Sequence, residues 1–283
     1  MPRGRLCFAV FVLVEGIFIA MGCGHGDEES YASRATAADA PEEVTLDLGG
    51  NVGIEFVRIP AGSFLMGTPE SAREGPGETQ HEVTITRPFY MGRYEVARAQ
   101  YERVMGKNPS IVHPGSKMPA EEVSWNDAVE FCRKASSMVK AKVRLPTEAE
   151  WEYACRAGSN TRFCFGDDDA ALGDYAWYTG NSNVHTPGER FPDLPEPRPV
   201  GRKKPNAFGL YDMHGNVREW CSDWFKPYDA NPRTDPKGPP YGQTHIIRGG
   251  QYGNSAAFCR SAARYWERAR HRSLGLGFRI VME

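Results

Sequence analysis

The chain has 283 residues and a formal net charge of −2, with 40% hydrophobic and 25% charged residues. This length suits one large domain or two small ones, with enough chain to bury a core. The near-neutral charge shows no basic excess for nucleic-acid binding, so we expect no nucleic-acid partner. The 30 glycines and 21 prolines predict many turns and long loops.

The N-terminal residues have the order typical of an export signal. Arg3 and Arg5 precede a mostly apolar stretch over 6–21, which is short for a membrane span. Residues 19–23 read Ile-Ala-Met-Gly-Cys, similar to a bacterial lipobox, in which the cysteine is acylated and the chain is cut before it. We predict a lipoprotein-type signal peptide over 1–22 and lipidation of Cys23. A plain signal peptide and an uncleaved membrane anchor are the alternatives.

The segment after the signal is predicted to be a flexible tether over 23–43. From residue 24 onward it contains almost no large apolar side chains, so it cannot bury enough surface to fold. The folded domain is predicted over 44–283. An acylated Cys23 would hold this domain at the membrane of a bacterial cell envelope, in the periplasm or on the outer surface.

The first part of the domain alternates apolar and polar residues as strands do, and a helical spacing follows. We predict strands around a turn over 54–66, a strand at 82–86, an extended stretch over 89–96 and a helix over 97–105 that stops at Gly106.

Two further helices are predicted from capping boxes. One begins at Ser124 with Asp127 as its partner, and the other begins at Thr147 with Glu150. Gly, Asn, Asp, Pro and aromatic residues dominate after Gly158, so we expect loops pinned by short strands there. The closing strands are predicted at 245–248 and 277–281.

Seven short motifs follow one another along the domain. They are IPAGSFLMG at 59–67, FYMGRYEV at 89–96, VSWNDA at 123–128, RLPTEAEWEY at 144–153, GLYDMHGNVREW at 209–220, RGG at 248–250 and GFR at 277–279. In this order they resemble the formylglycine-generating-enzyme, or sulfatase-modifying factor, family. The resemblance implies an irregular α+β fold that is C-type-lectin-like, with few helices and short antiparallel sheets.

Most of the large residues in these motifs are expected to be structural. Tryptophans of this kind pack in cores, and arginines pair with buried carboxylates or backbone carbonyls. The residues concerned are Trp125, Trp151, Trp220, Arg144, Arg248 and Arg279.

The resemblance also implies a structural calcium site. Asp212, Gly215, Val217 and Glu219 match positions at which the family binds calcium, two through side chains and the two between through backbone carbonyls. Calcium prefers several hard oxygen ligands, which this set would supply. The alternative is a calcium-free turn in which Glu219 pairs with an arginine.

The family's enzymes bind copper(I) with two cysteines after the Arg-Gly-Gly strand, and they oxidise a cysteine in a C-x-P-x-R sulfatase peptide to formylglycine. Counting from Gly250, the first cysteine position falls on Asn254 and the second on Cys259. A copper(I) site of this kind needs two soft thiolates. Only one of the two positions is a cysteine here, so we expect no such copper site. Gln251 stands where a serine is usual, and Arg218 where tryptophan is frequent.

Cys259 has two interpretations. The alignment to the family needs a small gap after Gly250. If that gap is placed earlier, Cys259 aligns near a family cysteine that forms a disulfide with the cysteine at the position of Cys155. An exported domain permits disulfides, and we predict a structural Cys155–Cys259 disulfide. A metal-binding or catalytic Cys259 is the alternative.

Three functions follow from these residues. The first is a binding or structural module for a peptide, glycan or small-molecule ligand. The second is an oxidoreductase acting on a small molecule such as a siderophore precursor. The third, formylglycine generation, is least favoured because the pair is missing. A deep cleft lined by Gln251, Tyr252, Asn254 and Arg218 would favour an enzyme, and a filled one would favour a module.

We predict that the expressed protein incorporates labelled palmitate and that Cys23→Ala abolishes the label, because Cys23 carries the acyl chains. Gel detection of the label measures this, and Cys7→Ala is the matched control that keeps it. Unlabelled wild-type protein would contradict the lipoprotein prediction.

Overall fold

The chain is described by a computed structural model that covers residues 42–110, 114–185 and 193–283. The predicted signal peptide, Cys23 and nearly all of the predicted tether lie outside these residues. Everything described belongs to one unit, 40–283. Within it, no helix combines the length and apolar character needed to cross a bilayer.

Three helices and fourteen short strands make up the regular structure of the described residues. The helices are α1 (Arg98–Met105), α2 (Trp125–Val139) and α3 (Glu148–Arg156). The strands are β1 (Glu43–Asp47), β2 (Gly53–Ile59), β3 (Gly62–Met66), β4 (His81–Ile85), β5 (Phe89–Gly92), β6 (Val143–Arg144), β7 (Asn183–His185), β8 (Asp193–Pro195), β9 (Arg218–Trp224), β10 (Arg233–Thr234), β11 (His245–Arg248), β12 (Tyr265–Glu267), β13 (Leu276–Gly277) and β14 (Val281–Met282).

The three helices begin and end where local signals place them. The Ser124 and Thr147 side chains accept hydrogen bonds from the backbone of Asp127 and Glu150, as the two capping boxes predict. Helix α1 ends at Gly106, whose φ of 73° lies in the left-handed region that glycine adopts without strain. These predictions are confirmed.

The strands form small separate sheets. The largest has the order β1-β2-β5-β14-β6, another has β12-β11-β9-β13, and two smaller ones have β10-β4-β3 and β7-β8. The core beneath the largest sheet includes Phe56, Tyr101, Phe131 and Phe278, all fully buried. The predicted α+β class with few helices and short sheets is confirmed.

The strands predicted around a turn over 54–66 are present as β2 and β3; β2 pairs with β1 and β5, and β3 pairs with β4. One predicted strand assignment needs correction. The predicted closing strand 277–281 is two strands in different sheets, β13 beside β9 and β14 between β5 and β6. Arg279 lies between them, and its side chain pairs with the buried carboxylate of Glu219.

A buried group of ion pairs, which we call the Arg248 cluster, links α3 to β11 and the segment 261–264. Arg248 donates to Glu152 and also to the carbonyls of residues 261, 262 and 263 at 2.8–3.1 Å. Glu152 further accepts from Arg156 at 2.8 Å, and Glu148 is held bidentately by Arg264 at 2.7 and 2.8 Å. Although burial would raise the pKa of Glu152, Arg156 and Arg248 hold it below its ordinary value.

We expect Arg248→Met to lower the free energy of unfolding by about 3–5 kcal/mol, because it leaves three carbonyls and part of Glu152 buried without a donor. Urea denaturation measures the loss. The matched control is Arg133→Met, which removes an exposed i,i+3 pair with Glu130 and should leave the free energy of unfolding nearly unchanged. Equal losses in the two variants would contradict a structural role for the Arg248 cluster.

Candidate functional site

The loop before β9 carries the predicted calcium positions and is tightly wound. Asp212, Gly215 and Asn216 all have positive φ, at 55°, 78° and 55°. A Cβ on Gly215 would lie 2.2 Å from the Trp177 carbonyl oxygen, so only glycine fits there. This winding brings Asp212 and Glu219 into the same buried region.

Glu219 is fully buried and is engaged by protein donors. Its two oxygens accept from Arg279 Nη2 and Nε, each at 2.7 Å, and Oε2 also accepts from Trp151 Nε1 at 2.7 Å. Arg279 also donates to the carbonyls of Gly92, Arg93 and Tyr211, at 3.1, 3.4 and 2.9 Å. The arginine pairing considered as an alternative for Glu219 is therefore present.

Two more buried carboxylates share this region. Asp212 Oδ2 accepts from the Gly201 amide at 2.7 Å, whereas its Oδ1 is buried without a hydrogen-bond partner. Glu95 accepts from Asn216 Nδ2 and the Val217 amide, at 2.6 and 2.9 Å.

The charges in this region do not balance. Burial, followed by the charges of Asp212 and Glu219, raises the pKa of Glu95 well above its ordinary range. Burial also raises the pKa of Asp212 to about 6. Three buried carboxylates thus face one buried guanidinium, that of Arg279.

These residues fit a divalent cation in their charge and in the unpartnered Asp212 oxygen. The described residues contain no group of three or more His, Cys, Asp or Glu side chains placed to hold a metal. A cation here would therefore depend on the backbone carbonyls of Gly215 and Val217, as the family resemblance implies. The calcium assignment stays a prediction.

Asn254, at the first copper-ligand position, closes a tight turn. Its Oδ1 accepts from the Gln251 amide at 3.0 Å, and its own amide donates to the Gln251 carbonyl at 2.8 Å. The Gln251 amide nitrogen, in the orientation that satisfies its neighbours, donates to the carbonyls of Leu274 and Gly275 at 3.1 and 3.0 Å. Gln251 packs so closely on Gly275 that a Cβ on Gly275 would lie 1.7 Å from an atom of the Gln251 side-chain amide.

Cys259, at the second position, is inaccessible. It is fully buried in a cluster with Phe163, Leu172 and Ala176, and burial raises the pKa of its thiol to about 12. A Cβ on Gly250 would lie 2.7 Å from the Cys259 sulfur, which shows how closely the backbone covers it. Cysteines buried in apolar surroundings are the less reactive kind.

The predicted disulfide partner, Cys155, is buried nearby. His214 lies near both residues, with Nδ1 2.8 Å from the Cys259 carbonyl oxygen and its ring nitrogens 3.9–4.0 Å from the Cys155 sulfur. Burial raises the pKa of Cys155 to about 12. The structure holds both cysteines as separate thiols, and the disulfide stays a prediction.

Arg218 and Tyr252 are the other two residues predicted to line a cleft with Gln251 and Asn254. Tyr252 is buried, and burial lowers the pKa of Arg218, whose Nε has no hydrogen-bond partner. The three described cavities are lined by other parts of the described chain. At this position Gln251 packs on Gly275.

The expected structural roles of the motif residues are confirmed. Trp151 and Trp220 are fully buried, and Trp220 donates to the Val123 carbonyl at 2.8 Å. Trp125 is partly buried and stacks on His245, with ring centroids 3.7 Å apart. Arg144 pairs with Glu150 at 2.7 Å.

Sequence reasoning missed a cavity of about 420 Å³ between α3, the end of β9 and the loop 226–240. One of its buried residues is Asp223, which no motif identifies. The local signal for a stiff covering loop is the three prolines at 236, 239 and 240, whose rings restrict the backbone.

The sequence matches the family described as Sulfatase-modifying factor enzyme 1-like domain over residues 50–283. The formylglycine-generating enzyme of Mus musculus is 31% identical, over 93% of this chain and 86% of the mouse protein.

Two solved structures are similar to the fold. Treponema denticola variable protein 1 has a TM-score of 0.76 and 28% identity, over 86% of this chain and 99% of its own. PvdO from Pseudomonas aeruginosa has a TM-score of 0.68 and 29% identity, over 85% of this chain and 98% of its own. With its motifs in order and its fold shared, the chain belongs to the formylglycine-generating-enzyme, or sulfatase-modifying factor, family.

Proposed function

We propose that this protein is a lipid-anchored binding module of the bacterial cell envelope and not a copper-dependent formylglycine-generating oxidase. The observation that carries the proposal is the state of the two copper-ligand positions. Asn254 is committed to a turn with Gln251, and Cys259 is a buried thiol. With asparagine at position 254, the two positions do not present the pair of thiolates that a copper(I) site of this kind requires.

The loss is larger than one substitution. A two-coordinate copper(I) site needs two thiolates facing each other. Cys259 is packed on Gly250 and within its apolar cluster, so a thiol restored at position 254 would still lack a partner.

The scaffold itself is preserved, which supports a binding role. The Arg248 cluster and the Arg279–Glu219 pair hold long loops in fixed positions, as a recognition surface on loops requires. Acylation of Cys23 would keep that surface at the membrane.

We expect the mass of a C-x-P-x-R peptide to stay unchanged when it is incubated with the purified protein, copper(I) and oxygen, because the pair of thiolates that binds copper(I) cannot form. Mass spectrometry of the peptide measures the outcome. Asn254→Cys should also be inactive, and the mouse formylglycine-generating enzyme is the positive control. Conversion of the peptide by the wild-type chain would overturn the proposal.

We also propose that calcium stabilises the loop before β9. Asp212 Oδ1 is a buried acceptor with no donor, and the surrounding carboxylates exceed the buried cations. A cation bound by Asp212, Glu219 and the carbonyls of Gly215 and Val217 would correct that imbalance.

We expect calcium to raise the melting temperature by several degrees over a sample in chelator, because a ligand bound only by the native state stabilises it. Asp212→Gly keeps the positive φ and should abolish the shift, whereas Asp212→Asn keeps a side-chain oxygen and should retain it. Asp174→Asn, at an exposed residue paired with Lys204, is the control. An unchanged melting temperature with no metal found by mass analysis would contradict the proposal.

A further inference from the structure

The cavity beside Asp223 is separate from the copper-ligand positions. It encloses about 420 Å³ between α3, the end of β9 and the loop 226–240, which is within the range of small-molecule sites. None of its lining residues is Gln251, Tyr252, Asn254 or Cys259. A ligand bound in this cavity would therefore not depend on the copper-ligand positions.

Asp223 is the distinctive residue of this cavity. It is 5% exposed, and its Oδ2 accepts from the Glu148 amide at 3.0 Å and from the Ser222 hydroxyl at 2.9 Å. Among the described residues, no donor reaches Oδ1. That oxygen lies under the covering loop, because a Cβ on Gly238 would be 3.0 Å from it.

The other cavity carboxylates are already neutralised. Glu148 is held by Arg264 at 2.7 Å, and Asp229 pairs with Arg233 at 2.5 Å. No lysine or arginine of the described chain lies within ion-pair distance of Asp223. The charges acting on it are those of Glu148 and Glu150, which are also negative.

The remaining polar groups of the cavity favour a donor ligand. The Tyr228 hydroxyl is buried without a partner and can accept a hydrogen bond. His81 packs edge-on against the Tyr228 ring, with centroids 4.8 Å apart. Lys226 and Lys237 line the cavity but are exposed, so solvent screens their charges.

We propose that this cavity binds a ligand that carries a primary ammonium group, with the ammonium on the free oxygen of Asp223. A buried carboxylate with no cation at ion-pair distance is costly, and a desolvated cation beside it removes that cost while donating the missing hydrogen bonds. The cavity is large enough for an aliphatic amine of about five carbons.

The test uses three five-carbon probes whose terminal groups are cationic, neutral and anionic: cadaverine, 1,5-pentanediol and glutarate. Titration calorimetry of the full chain at pH 8 should show saturable binding of cadaverine and at least tenfold weaker binding of the other two. Equal binding of the diol, or preferred binding of glutarate, would overturn the proposal.

Variants locate the binding. Asp223→Asn keeps an acceptor for the Glu148 amide and should weaken cadaverine binding at least tenfold. Asp229→Asn, in the same cavity but already paired, should leave it within twofold. Unfolding curves check that both variants fold. Undiminished binding by folded Asp223→Asn would overturn the proposal.

The pH dependence tests wild-type protein without relying on a variant. Burial, followed by the charge of Glu148, raises the pKa of Asp223 to about 7. Cadaverine keeps its charge between pH 6 and 8, so binding should fall about tenfold from pH 8 to pH 6 as Asp223 becomes protonated.

Two histidines lie near Asp223 and must be separated from it. Burial lowers the pKa of His245 to about 4, so it stays neutral over this range. His81 lines the cavity from β4, and His81→Asn should keep the fall in affinity. Binding that does not change with pH, or a fall that disappears in His81→Asn, would overturn the role of Asp223.

Discussion

The structure depends on arginines buried against carboxylates. A domain with three short helices and long loops has many backbone carbonyls that no regular hydrogen-bond ladder satisfies. Arg248 reaches three successive carbonyls while it pairs with Glu152, and Arg279 reaches the carbonyls of Gly92 and Tyr211 while it pairs with Glu219. Each guanidinium therefore joins segments distant in sequence, and the paired carboxylate makes its burial tolerable.

Features set by neighbouring residues could be predicted from the sequence. The Ser124 and Thr147 caps depend on a partner three residues away, and both helices begin there. Features set by distant contacts could not be predicted. The strand predicted over 277–281 is divided because β13 pairs with β9 whereas β14 pairs with β5 and β6, and nothing local to that segment signals these partners.

The candidate site divides in the same way. Counting along the chain was enough to place Asn254 and Cys259 at the copper-ligand positions, and it identified the missing thiolate. It could not reveal that Gln251 packs on Gly275, nor that Cys259 lies within an apolar cluster. Asp223 escaped notice because its environment is created by a loop that folds back over the sheet.

The position of β14 has a consequence for the order in which this fold forms. This strand lies inside the largest sheet, between β5 and β6, although it comes from residues 281–282. The middle of the sheet therefore stays open until Val281 pairs with Met91, a residue far away in sequence. Pairings of this kind must close a long loop before they are rewarded, so the largest sheet is completed late in folding.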